Sequence, residues 1–269
     1  HGEFDLEILV VTPRRDETVN RIERKFPDVK VLTSKSRIGI PQLRALGLSH
    51  AAGEMVAITE DYCIPAENWC MEIIRAHERG YDVVGGAIEN GSRDTVVNWA
   101  AFFCEYSERM MPVPDENVGG LAGNNSSYRR EVFEKIDESV VHDQWEYFIH
   151  REFRKLGVEL RSVPTIVVHK TKEHRFIPFM RERFHFSRSF AGMRGRSMPL
   201  PVRVLYALSC PLLPFVMTWR IAQQVRRKRR SGYHFLRSLP LLSLFMVSYA
   251  GGEASGYLFG SGSSLEKVE

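Results

Sequence analysis

The sequence predicts an α/β fold, a mainly parallel sheet flanked by helices, followed by an apolar helical tail. Three observations predict it. Short apolar runs alternate with helix-like segments from Leu6 to Val168. Glycines stand where helices should stop, at Gly53, Gly80 and Gly157. Beyond Leu200 the chain becomes apolar and basic. Strands that alternate with helices form parallel sheets covered on both faces, and such sheets bind ligands beyond the carboxyl ends of their strands.

The elements follow in order. Leu6 to Val11 is a short apolar run that suits a buried strand, ending at Thr12-Pro13. Asp16 to Lys25 reads as a short helix, Val29 to Leu32 as a strand, and Pro41 to Ala52 as a helix stopped by Gly53. Met55 to Thr59 is the next strand and runs into Glu60-Asp61. A helix over Trp69–Arg79, a strand over Asp82–Ala87 and an aromatic-rich helix around Trp99 to Tyr106 come next. The loop Gly119 to Tyr128 leads into a helix at Arg130 to Lys135. Trp145 to Leu156 is a helix closed by Gly157, and Val158 to Val168 is an extended pair around Pro164. These elements divide the chain into an α/β domain over residues 1–175, a basic and apolar helical region over 176–260, and a tail expected to be disordered over 261–269.

Composition narrows the class. The chain has 269 residues, 43% hydrophobic and 26% charged, which excludes intrinsic disorder. A net charge of +4 does not call for nucleic acid, and none is expected as a partner. The basic run Arg226 to Arg230 beside apolar segments suggests anionic headgroups, or equally a solvated face. The runs Leu200–Trp219 and Leu239–Tyr249 are interrupted or short against the roughly 20 apolar residues of a spanning helix. Interfacial helices or a re-entrant hairpin are therefore expected. Cys63, Cys70, Cys104 and Cys210 fit no paired zinc pattern and read as reduced thiols facing the cytosol. The expected location is the cytoplasmic face of the inner or plasma membrane.

Several residues carry chemistry by type and place. Glu60 and Asp61 stand at a strand end, where two carboxylates call for a compensating cation such as a divalent metal; a solvated acidic turn is the plain alternative. Glu146 opens a helix, with Asp143 nearby, and suits either a helix-start carboxylate or a general base. The loop Gly123, Asn124, Asn125, Ser126, Ser127 lets backbone approach a ligand, or forms a turn. His169 reads as a metal ligand or a structural histidine, and Arg44 as a diphosphate contact or a solvated cation.

The order of these motifs resembles family-2 glycosyltransferases, enzymes of the GT-A (Rossmann-like) fold. The stretch Leu43 to Ala57 is similar to the family's "ARNxGLxxAxGExVAF". Thr59-Glu60-Asp61 falls at its acidic metal motif, and Pro65 and Trp69 match the "P...W" that follows. Gly123 to Arg130 looks like its "GxNxxxRR" loop, and Trp145-Glu146 with Gly157, Pro164 and His169 like its "ED...G...P...H" block. The resemblance covers about residues 6 to 170.

The resemblance implies an inverting transfer from a nucleotide-sugar to an acceptor hydroxyl on a glycan, a cell-envelope polysaccharide or a lipid-linked sugar. Mg or Mn would bridge the diphosphate and Glu60-Asp61, with His169 as an accessory contact. Arg44 would join them in donor binding. Glu146 would be the base, with Asp143 next in line. Gly123, Asn124, Asn125, Ser126 and Trp145 would meet the acceptor, and Arg183 to Phe190 would cover the site. The departures are Thr12 for an acid, Ala45 for the asparagine, Tyr62 in the third metal position and Trp145 for the first acid of "ED". The chain also opens at what looks like the family's second strand. The competing classes are a catalytically degenerate sugar-nucleotide-binding module and a nucleotidyltransferase, whose phosphate-cradling glycine loop is not seen near the first strand.

Overall fold

The computed structural model describes residues 4–34 and 38–268. Its contacts divide into two compact units, the first comprising residues 1–60, 65–86 and 114–167, and the second 61–64, 87–113 and 168–269.

In the first unit, β1 (Leu9–Thr12) and β2 (Lys30–Thr33) pair in parallel around α1 (Glu17–Lys25). Asp16 caps α1 by accepting from the Thr18 N–H at 2.9 Å, so a side chain replaces a missing helical partner. Next comes α2 (Ile40–His50), which carries Pro41 in its first turn, where proline lacks only an N–H the helix would not use. It ends before the expected Gly53. Its last helical bond runs from the Ala51 N–H to the Gly47 carbonyl at 3.0 Å, and the next N–H, of Ala52, turns to the Glu7 carboxylate at 2.8 Å.

Two strands, β3 (Met55–Ile58) and β4 (Cys63–Pro65), precede α3 (Trp69–Glu78) and β5 (Val83–Asn90), and β5 is followed by α4 (Val96–Tyr106). Then β6 (Ser126–Arg129) leads through a 3-10 turn at Arg130–Lys135, where a helix was expected, to α5 (Glu138–Asp143), α6 (Glu146–Lys155) and β7 (Leu160–Lys170). Gly80 and Gly157 take φ of 91° and 79° after α3 and α6, the left-handed closure predicted for them.

Five strands form a sheet in the order β3-β6-β5-β7-β4. It is mixed, because β6 runs antiparallel to both β3 and β5, which therefore run parallel to each other. The expected extended pair at residues 158–168 is the single strand β7. Leu121, Tyr128, Val132, Phe153 and Leu160 form a buried core cluster beneath α6 and β6.

The second unit holds α4, α7 (Phe176–Gly195), α8 (Leu200–Ser209), α9 (Leu213–Lys228) and α10 (Gly232–Phe259). Arg183 lies inside it. Its Nη2 is 2.7 Å from Glu105 Oε1, and Lys170 is 3.4 Å from the same carboxylate. Burial would raise the Glu105 carboxyl, but the charges of Arg183 and Lys170 overcome this and draw it down to about 2. Arg183 is thus committed to an internal ion pair. Residues 261–268, expected to be disordered, carry a 3-10 turn at Leu265–Lys267, with Ser264 buried against His185 at 3.2 Å.

Residues Leu200–Lys228 and Gly232–Phe259 are each long and apolar enough to cross a membrane by length and composition. Pro201 sits in the first turn of α8, and hydrogen bonding continues from α8 to α9 despite Pro211 and Pro214, because a 3-10 turn at Cys210–Leu212 joins them. Leu205, Leu208, Leu212, Phe215 and Trp219 are 62% to 76% exposed along this stretch.

Candidate functional site

The most concentrated chemistry of the first unit centres on Arg44. From the middle of α2 its Nη1 donates to Glu146 Oε2 at 2.7 Å and its Nη2 to Glu60 Oε1 at 2.8 Å. The three side chains are 18% to 25% exposed, so the pairs are only partly screened by water. Burial alone would lower the guanidinium's pKa, but the charges of Glu146 and Glu60 outweigh it and raise the value above normal. One cation therefore ties together two carboxylates that the sequence places 86 residues apart (146 minus 60).

Local structure explains each placement. Glu60 follows β3, so the sheet fixes its backbone. Glu146 is the first residue of α6, where the helix dipole favours a negative charge. Asp143, at the end of α5, accepts from Gln42 Nε2 at 3.3 Å and lies 3.0 Å from His142 Nδ1, with its side chain half exposed. Gln42 and Arg44 thus reach from α2 to the acids around α6.

Gly123 lies directly against this pair. A β-carbon there would stand 2.4 Å from Arg44 Nη1 and 2.7 Å from Glu146 Cδ. Only glycine leaves room for the bridge. Gly123→Ala is expected to displace Arg44 and Glu146 and to lower the melting temperature, because the added methyl forces both partners of the ion pair to move. Circular dichroism should show a retained fold. An unchanged melting temperature would show that the pair tolerates displacement.

The rest of the loop serves the framework. Asn125 is fully buried, accepts from Trp69 Nε1 at 2.8 Å and donates to the Ile166 carbonyl at 3.1 Å. Ser126 and Ser127 are buried too, with Ser126 Oγ donating to Tyr128 Oη at 3.0 Å and Ser127 Oγ 2.9 Å from His77 Nε2. Asn124 and Trp145 are buried at 3% and 4% exposure. All four of Asn124, Asn125, Ser126 and Trp145 are thus buried, Asn125 and Ser126 with hydrogen bonds inside the sheet and core, and Gly123 is the loop residue beside the acids.

Sequence reasoning missed a supporting chain. Leu121 N–H donates to His150 Nδ1 at 3.3 Å, which leaves Nε2 as the protonated nitrogen facing Tyr128 Oη at 2.9 Å. This ties the loop and β6 to α6, the helix that carries Glu146. His150 four residues after Glu146 was the available signal, since that spacing places both on neighbouring turns.

The three expected metal ligands are not gathered into one cluster. Among the described residues no group of three or more His, Cys, Asp or Glu side chains converges to hold a metal. Glu60 is paired with Arg44, Asp61 is exposed and belongs to the second unit, and half-buried His169 lies in that unit as well. The donor chemistry still fits a hard divalent cation. Glu60 and Asp61 offer carboxylate oxygens, and a cation such as Mg2+ is commonly held by one or two carboxylates plus substrate phosphates.

Comparison with known proteins places the chain. The sequence profile of Glycosyl transferase family 2 matches residues 3–137. The glucosyl-dolichyl phosphate glucuronosyltransferase of Haloferax volcanii is 25% identical over 147 residues, covering 49% of this chain and 45% of that protein. The chain thus spans about half the length of this curated relative. A mannosyltransferase from Pyrobaculum calidifontis, solved with GDP-Man and Mn2+, aligns over 94% of this chain and 78% of its own with a TM-score of 0.51 at 17% identity. That likeness concerns the fold, which is of the GT-A type with two apolar C-terminal helices.

Proposed function

This chain belongs to glycosyl transferase family 2, and we propose that it moves a sugar from a nucleotide-diphosphate sugar to an acceptor hydroxyl with inversion, Glu146 serving as the base. The observation that carries this reading is the Arg44 bridge between Glu146 and Glu60. It holds a carboxylate for proton removal beside one suited to the donor's cation.

The chemistry follows from these roles. The acceptor oxygen attacks the anomeric carbon as Glu146 takes its proton. The bond from that carbon to the diphosphate oxygen breaks, and the leaving group departs with the electron pair. A single displacement inverts the configuration. Arg44 keeps Glu146 aimed, and Asp143 is the alternative base. A divalent cation, Mg or Mn, when bound neutralises charge on the diphosphate, with Glu60 and Asp61 as its protein ligands. His169 is not required for this scheme.

The second unit is the membrane-associated part in this reading. The exposed apolar side chains of α8 and α9 meet lipid, and Arg226, Arg227 and Arg229, all exposed, meet anionic headgroups. The acceptor is then a glycan or a lipid-linked sugar presented at the cytoplasmic face.

The test is calorimetric. UDP or GDP with Mn2+ should bind the full chain, and the double change Glu60→Ala, Asp61→Ala should abolish the metal-dependent part without unfolding the protein. Chelator should do the same to the unaltered chain. Undiminished binding in either case would remove these carboxylates from the donor site.

A further inference from the structure

A cavity of about 310 Å3 lies entirely within the second unit. Its chemistry is unlike that of the acidic site. The lining includes Glu89, Asn90, Arg93, Trp99, Arg230 and His234. Three observations point to what it holds.

First, its polar groups are dominated by donors. Arg93 and Arg230 bring two guanidinium groups. The one carboxylate, Glu89, is already engaged. It accepts from Arg230 at 2.9 and 3.2 Å and from the Met111 N–H at 3.0 Å, which neutralises Arg230 in turn and leaves Arg93 as the lining cation with no carboxylate partner among the described residues. A sugar needs acceptors as well as donors, whereas a set with donors to spare suits an anion.

Second, Asn90 is 4% exposed, and its Nδ2 is buried with no hydrogen-bond partner among the described residues. Its Oδ1 faces the Ser92 N–H at 3.1 Å, so the amide orientation is fixed and a donor is left over. A buried donor without an acceptor is costly, and a ligand oxygen would satisfy it.

Third, α10 begins at the cavity. Phe235 N–H to the Ser231 carbonyl at 2.9 Å starts its hydrogen bonding, so the N–H groups of Gly232, Tyr233 and His234 precede the ladder. A helix N-terminus of this length favours anions. His234 stacks on Trp99 with ring centroids 4.2 Å apart, which fixes the helix start against α4.

We propose that this cavity is a phosphate-binding site, in which Asn90, Arg93, Arg230 and the first turn of α10 hold a phosphoryl group. Of its lining, Arg230 and Ser231 lie in the short link between the two apolar segments, after Lys228 and before Gly232, and His234 in the first turn of the second. With those segments in a bilayer, residues 229–231 lie at headgroup level, and the phosphate is one carried by a lipid. This last step rests on the membrane reading above. The phosphate chemistry of the site does not.

The experiment uses the full chain in a neutral detergent. Inorganic phosphate, decyl phosphate and decanol are titrated by calorimetry in the absence of any sugar nucleotide. Decyl phosphate should bind, decanol should not, and Asn90→Ser with Arg93→Ala should weaken phosphate binding roughly tenfold or more, as loss of charge-assisted hydrogen bonds predicts. Arg93 is exposed, so Arg93→Ala alone is the fold-safe variant, and Arg93→Lys should recover much of the affinity. Tighter binding of decyl phosphate than of inorganic phosphate assigns the phosphate to a lipid, and equal binding assigns it to the free anion. Absence of phosphate binding, wild-type affinity in the variants, or equal binding of decanol overturns the site. Sugar-nucleotide turnover is measured separately, so failure here leaves the transferase reading standing, and failure there leaves this site standing.

Discussion

Replacing Glu146 by glutamine is expected to lower transfer about a hundredfold or more while leaving donor binding in place. Glutamine keeps the shape and can still accept from Arg44 Nη1, which lies 2.7 Å from the native carboxylate. What it loses is the ability to take a proton. The effect should therefore appear in kcat, with little change in the affinity for UDP or GDP measured by calorimetry. A drop in donor affinity with normal kcat would make Glu146 a binding residue. Normal turnover would move the base elsewhere, and Asp143→Asn would then be the variant to examine.

The second large effect is expected from Arg44→Met. Methionine approximates the stem of arginine but carries no charge, so Glu60 and Glu146 would both lose their shared partner. Breaking a buried ion pair from one side costs about 3–5 kcal/mol. The side chains here retain 18% to 25% exposure, which favours the lower end. About 3 kcal/mol corresponds to a fall in melting temperature of roughly 6–12 °C for a chain of this size. Transfer should fall as well, because Glu146 would no longer be aimed. Arg44→Lys should recover some stability but not the two-armed bridge, since only a guanidinium spans both acids with separate nitrogens. A melting temperature unchanged in Arg44→Met would mean that the bridge contributes nothing to the fold.

Much of the architecture was legible because it depends on local pattern. Residues 17–25, 69–78 and 146–155 are helical close to where periodicity and glycine stops placed them. Strand β6 was not legible. Ser126–Arg129 has three polar residues in four and no apolar alternation, yet it is buried between β3 and β5. Its strand character comes from its neighbours. The same cause hid the burial of Asn124, Asn125 and Ser126. Asparagines and serines in a glycine-rich stretch look like an exposed ligand loop, and only tertiary packing shows that Trp69, Ile166 and Tyr128 take up the hydrogen bonds of Asn125 and Ser126. Arg44, Glu60 and Glu146 were each selected by type and motif. That one guanidinium joins the two acids could not be read from positions 44, 60 and 146. The tail was underestimated because prolines were counted as breaks, whereas the turn at Cys210–Leu212 carries the helical path past them.

The most direct measurement is release of nucleoside diphosphate from a panel of nucleotide-sugars by the full chain, with Mn2+ and then with chelator. The account predicts that at least one donor is turned over in the presence of metal, and that chelator, Glu146→Gln and Arg44→Met each suppress the release. Release that persists unchanged in Glu146→Gln and Arg44→Met, or a folded chain that turns over no donor, would contradict it.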